Sequence, residues 1–168
     1  IFFAGGDQAA FEAVRPVLDV LGRAVYYFGE SGSGHVVKLA HQMMMSCYFV
    51  TIAEAFAYVE KMGIDGRRFF EAIEHGGPAS GILSGVGRSS ARVISGETRP
   101  DDTHYPPTFA KDLSYALQES FRHNIYMPAA ANAEEVFKQA LGMEVEGGSP
   151  LLKLLAFWRA INRSEKES

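Results

Sequence analysis

Lys38, His41 and Gln42 are the residues whose types and spacing best suit chemistry. Lys38 is the only lysine ahead of Lys61, and it lies in the run Val36–Met62, which holds no proline or glycine. A lysine is rarely buried unless it is paired or working. The alternative is a side chain that snorkels, laying its stem on apolar surface and its ammonium in water. Both readings stand on the residues alone. His41 and Gln42 follow at three and four places, the spacing that puts side chains on one helical face. An ammonium, an imidazole and an amide beside a glycine-rich turn suit the gripping of a small, oxygen-rich ligand. An amine so placed can also take or give a proton. Each of His41 and Gln42 is equally able to satisfy a neighbour.

The glycine-rich turn invites a phosphate. Gly29-Glu30-Ser31-Gly32-Ser33-Gly34 copies the front of a phosphate-binding loop. That loop needs Lys and then Ser or Thr after its last glycine, to hold the phosphates and a magnesium ion. Here His35 and Val36 follow, so both chemical positions fail. The better reading is a linker whose glycines admit a close backbone approach.

The surrounding elements follow from pattern. Ile1-Phe2-Phe3-Ala4 reads as a strand running into Gly5-Gly6, and Ala24 to Phe28 as a second. Between them Asp7 caps a helix over Gln8 to Leu21, stopped at Gly22. Two strands are too few for a stable parallel sheet, so residues 1–29 are expected to be the end of an α/β domain and the chain a fragment. From Ser33 the pattern is helical. The Val36–Met62 helix ends at Gly63 and is apolar on every side, which predicts burial on every side. About 30 residues at 1.5 Å each make it roughly 45 Å long. Helices are predicted from Asp65 to about His75, from Ser80 to Ile94, from Phe109 to His123 along Leu113, Ala116, Leu117 and Phe121, and from Pro128 to near Gly142. Ser149-Pro150 opens the last, with Leu151, Leu154, Leu155, Trp158 and Ile161 on one side. Arg99 to Pro107 reads as a loop. The fold class is therefore mainly α: about six helices bundled around one long helix, after two strands and a helix left over from an α/β domain.

Composition narrows the function. A formal net charge of −4 gives no electrostatic footprint for nucleic acid. Arg67, Arg68, Arg88, Arg92 and Arg99 cluster loosely with acids between them, as on a solvated face. The single cysteine, Cys47, cannot form an internal disulfide, which fits a reducing, cytoplasmic setting. No signal peptide or metal-ligand pattern is read, and the charged Lys38 with His41 interrupts the apolar run before the roughly 20 residues a bilayer needs.

With these residues in view, the chain resembles the β-hydroxyacid dehydrogenases, the group of the 3-hydroxyisobutyrate and 6-phosphogluconate dehydrogenases. Gly32-Ser33-Gly34-His35-Val36-Val37-Lys38-Leu39-Ala40-His41-Gln42 looks like that family's interdomain helix start, where a glycine-rich turn precedes a lysine and an asparagine follows. Pro107-Thr108-Phe109-Ala110-Lys111-Asp112-Leu113 resembles a second segment ending in Lys-Asp-Leu. Glu54-Ala55, Gly63-Ile64-Asp65 and Tyr126-Met127-Pro128 resemble further landmarks, and the opening strand with Gly5-Gly6-Asp7 resembles the end of the family's Rossmann part.

The resemblance implies an oxidoreductase moving a hydride between NAD or NADP and a small β-hydroxy acid. It makes Lys38 the general acid/base, His41 and Gln42 substrate-binding, and Lys111 a neighbour of the nicotinamide. Desolvation and nearby positive charge, part of it from Lys111, would free Lys38 of its proton. His41 and Gln42 stand where the family has asparagine. Met45 stands where the phosphogluconate branch has an acid, which favours the small-acid branch. Imine reductases share the architecture but usually lack the lysine. The resemblance divides the chain into 1–29, a remnant of the dinucleotide-binding domain, and 30–168, a helical substrate and dimerisation domain. No GxGxxG follows a strand here, so the main phosphate grip is expected upstream. A homodimer or higher homo-oligomer is expected, with Met43, Met44, Tyr48, Phe49 and Phe56 facing the partner. No nucleic-acid or membrane partner is expected. A catalytically silent helical dimerisation module is the other class of reading.

Overall fold

The computed structural model describes residues 1–97, 108–144 and 150–162. Strand β1 (Phe2–Ala4) pairs in parallel with β2 (Val25–Tyr27), Phe2 opposite Val25 and Ala4 opposite Tyr27. The crossover is helix α1 (Gln8–Leu21), whose first turn is closed by Asp7 accepting from the Ala10 amide at 2.8 Å. Parallel strands need such a crossover, so the strand–helix–strand reading holds. Only Phe11 of α1 is buried, and Val14, Val17, Val20 and Leu21 are exposed.

Helix α2 (Ser33–Lys61) runs through the helical unit. Gly63, at φ 74°, takes the left-handed turn that stops it. Then come α3 (Gly66–Ile73), capped by Asp65, a π-helical turn (Leu83–Gly87) leading into α4 (Arg88–Ile94), α5 (Thr108–Arg122), α6 (Pro128–Leu141) and α7 (Pro150–Ile161). The expected Ser80–Ile94 helix forms from Gly81 onward as one run with a π turn inside it, where Gly87 lies against Leu83 and Phe70. The predicted loop 99–107 and the Ser149 cap lie outside the described residues.

The core is built on one side of α2. Phe49, Ile52, Ala53 and Phe56 pack with Phe70, Leu83, Val86, Leu113, Val136, Phe137, Leu154 and Leu155. In the single chain the five shorter helices that follow cover only part of the circumference of α2, and Val36, Met44 and Tyr58 are exposed. Two expectations need correction. First, Phe49 and Phe56 cannot face a partner, since the chain's own helices bury them to 2% and 0% exposure. Second, Phe121 on α5 and Ile161 on α7 fall outside the buried stripes of their helices, and Phe157 takes a buried place on α7. Length and hydropathy alone would let α2 cross a bilayer. Its packed aromatic face is the ordinary mark of a core helix.

Candidate active site

The start of α2 is fixed by a contact that only glycine permits. A Cβ on Gly34 would lie 2.4 Å from the Phe3 carbonyl oxygen, and one on Gly5 would lie 2.2 Å from Ser33 Oγ. Gly32, at φ 94°, makes the turn into the helix. The close backbone approach read from the glycine-rich turn is therefore an approach to β1. That contact belongs to Gly34; a Cβ on Gly29 or Gly32 would meet nothing within 4 Å.

One turn into α2 the expected residues come into view. Lys38 and His41 are exposed, while Gln42 is buried at 7% exposure. The His41 ring lies 5.7 Å from that of Phe3, at 51°. His41 Nδ1 is 3.2 Å from Gln42 Oε1, and Gln42 Nε2 donates to Asp112 Oδ2 at 2.9 Å. Asp112 sits on α5, and its other oxygen is 3.5 Å from Lys111 Nζ. Lys111 also lies over the Tyr115 ring, 5.8 Å from its centroid.

Three of the four candidate residues are thus joined in one chain of contacts, His41–Gln42–Asp112–Lys111. Lys38 is on the same helix but makes no hydrogen bond or ion pair among the described residues. Lys111 was expected to lend Lys38 its charge; Asp112, at 3.5 Å, is the charged group it actually meets. In the sequence Asp112 stands out only as part of the Lys-Asp-Leu segment. The signal that could have found it was its position beside Lys111, an acid next to a candidate cation.

The chemistry on offer is that of binding a small polar molecule and moving one proton. Lys38 presents an ammonium to solvent, Lys111 presents another on α5, and His41 presents one ring nitrogen while the other meets Gln42. Among the described residues no group of three or more His, Cys, Asp or Glu is placed to hold a metal ion. An open groove of about 310 Å³ lies elsewhere, between α3 and α4, lined by Arg67, Phe70, Glu71, Glu74, Arg88, Ala91 and Arg92. Lys111 is an exposed donor, and Gly34 at the end of the glycine-rich turn lies against the backbone of β1.

Comparison with known proteins gives the family. Residues 32–155 match the family model described as the NAD-binding part of NADP-dependent 3-hydroxyisobutyrate dehydrogenase, and the cofactor class is accordingly NAD(P). The chain is 28% identical to 2-(hydroxymethyl)glutarate dehydrogenase of Eubacterium barkeri, over 89% of this chain and 49% of that protein. It is 30% identical to 2-hydroxy-3-oxopropionate reductase of Escherichia coli, over 88% of this chain and 48% of that one. The crystal structure of a 3-hydroxyisobutyrate dehydrogenase from Salmonella typhimurium superposes with a TM-score of 0.71 at 26% identity, covering 90% of this chain and 53% of that one. The chain spans about half the length of the relatives it matches. By the family model and by its mainly helical architecture, the chain belongs to the 3-hydroxyisobutyrate dehydrogenase-like family.

Proposed function

We propose that this chain is the helical, substrate-side part of an NAD(P)-dependent oxidoreductase acting on a small β-hydroxy acid, with Lys38 as general acid/base. The observation that carries the reading is the meeting of two segments 70 residues apart: Gln42, four residues after Lys38, is hydrogen-bonded to Asp112, the neighbour of Lys111. Lys38 is exposed, so a ligand can reach its ammonium. The relatives' names support the substrate class, since 2-(hydroxymethyl)glutarate and 2-hydroxy-3-oxopropionate both carry an oxygen function on the carbon β to a carboxylate.

NAD(P), when bound, supplies the hydride chemistry. The chain's own residues handle the proton and the position. In oxidation the Lys38 amine takes the hydroxyl proton of the substrate; in reduction the Lys38 ammonium gives a proton to the developing alkoxide oxygen. His41 holds a polar group of the substrate, Gln42 takes part in substrate binding through its contact with His41, and Lys111 sits toward the nicotinamide end. The described residues leave Lys38 in solvent, so in this reading its desolvation comes with the bound substrate and cofactor. In the complete enzyme Lys38→Ala is expected to lower turnover at least about a hundredfold, with fold and cofactor affinity retained, as loss of a general acid/base does. Turnover near wild type in that variant would remove Lys38 from the chemistry. We further infer that two copies pair through the side of α2 that carries Met43, Met44 and Tyr48.

A further inference from the structure

The contacts around Gln42 determine where one proton resides. Gln42 Nε2 faces Asp112 Oδ2 at 2.9 Å. An ionised carboxylate only accepts hydrogen bonds, so the amide must present its nitrogen to Asp112. The reverse orientation would set two acceptor oxygens against each other at a buried position. The Lys111 ammonium, 3.5 Å from the other carboxylate oxygen, complements the charge. With its nitrogen committed, the amide turns its oxygen to His41 Nδ1 at 3.2 Å. That oxygen also only accepts, so Nδ1 must carry hydrogen. In a neutral imidazole the lone pair is then on Nε2. His41 is exposed, and among the described residues Nε2 has no partner.

We propose that Asp112 is a positioning residue that acts through Gln42 to hold His41 as the Nδ1–H tautomer, so that Nε2 accepts the hydroxyl hydrogen of a ligand bound beside Lys38 while Lys38 is protonated and donates to the hydroxyl oxygen; when Lys38 is the free amine, that hydrogen turns to it. The identity of that ligand rests on the hydroxy-acid reading above; the tautomer does not. An Nε2 acceptor discriminates: it pairs with a hydroxyl and cannot pair with a carboxylate while the ring is neutral. The carboxylate of a hydroxy acid is left to the ammonium groups.

The test is nitrogen–proton correlation spectroscopy of the histidine-labelled chain in alkaline buffer, where imidazoles are neutral. Free histidine in water favours hydrogen on Nε2, so the opposite tautomer at His41 is a distinct signature. The wild-type chain is expected to show Nδ1–H at His41, and Asp112→Asn to lose it, because an amide both donates and accepts and no longer sets the direction of Gln42. Gln42→Leu is expected to have the same effect. Nε2–H at His41 in the wild type overturns the proposal without reference to any variant. Retention of the full Nδ1–H signal in a folded Asp112→Asn chain removes the role of Asp112. For the ligand, 3-hydroxypropanoate is expected to shift the His41 Nε2 resonance and propanoate to leave it in place; equal shifts, or none from either, overturn the acceptor role. No turnover is measured, so failure of Lys38 as the acid/base and failure of this arrangement read out separately.

Discussion

Gly34 is the residue on which the position of the whole site depends. Its missing Cβ lets the first turn of α2 lie against the backbone of Phe3, and Phe3 in turn contacts the His41 ring. Gly34→Ala would gain up to about 1 kcal/mol of helix propensity. The added carbon, however, meets backbone at 2.4 Å and cannot be accommodated by turning a side chain. Overpacking of this kind costs about 1–3 kcal/mol, so the clash wins and the denaturation midpoint is expected to fall. Gly81→Ala is the control: a Cβ there has nothing within 4 Å, and its stability is expected to be unchanged or slightly raised. Equal midpoints for the two variants would mean that the contact with β1 has no energetic weight. The role of Gly34 was legible only as permission for a close approach. What approached it was not, because the partner is a backbone carbonyl and carries no side-chain signature.

Between elements, α5 and α6 are joined by a titratable link. Glu134 on α6 accepts hydrogen bonds from the Ser114 hydroxyl on α5 and from Lys138 one turn along its own helix, the latter at 2.8 Å. Burial acts to raise the carboxyl's pKa, but the hydrogen bonds from Lys138 and Ser114 and the ammonium charge outweigh it, and the net direction is downward. A carboxyl held lower in the folded chain than in the unfolded one contributes stability above the unfolded value of about 4.3, and that contribution is lost as pH falls through the folded value. Denaturation midpoints measured from neutral pH downward are expected to drop through this window in the wild type, and less steeply in Glu134→Gln. Parallel slopes for the two chains would exclude Glu134 from the effect. Spacing alone shows Glu134 and Lys138 as an i,i+4 pair. Ser114 enters only because α5 and α6 pack together.

For the molecule as a whole, the uncovered side of α2 carries the consequence. Met44 and Tyr58 are exposed there, at 69% and 64%. Large apolar side chains left exposed on a helix that also lines the core suit an interface between copies. A two-fold pairing would bring the same strip of both copies together. Phe49 and Phe56 take no part, so the contact is smaller than the sequence suggested. Sedimentation at micromolar concentration is expected to give a species of about twice 18.4 kDa, and charging the strip with Met44→Glu is expected to return it to a monomer. A wild-type chain sedimenting as an 18.4 kDa monomer would end the assembly argument.

The sequence by itself determined the element order and most of the boundaries. Caps such as Asp7 and Asp65, stops such as Gly63 and the helix start at Pro128 are local events, decided within a few residues by backbone hydrogen bonds. It also put Lys38, His41 and Gln42 on one helix, because spacing along a helix is spacing on its face. The tertiary structure decided which apolar face of α2 is covered, since a helix apolar all round has no preference written in its own period. It also decided that Asp112 orients Gln42. That contact joins residues 70 apart, and the direction of an amide is set by whichever partner can only accept.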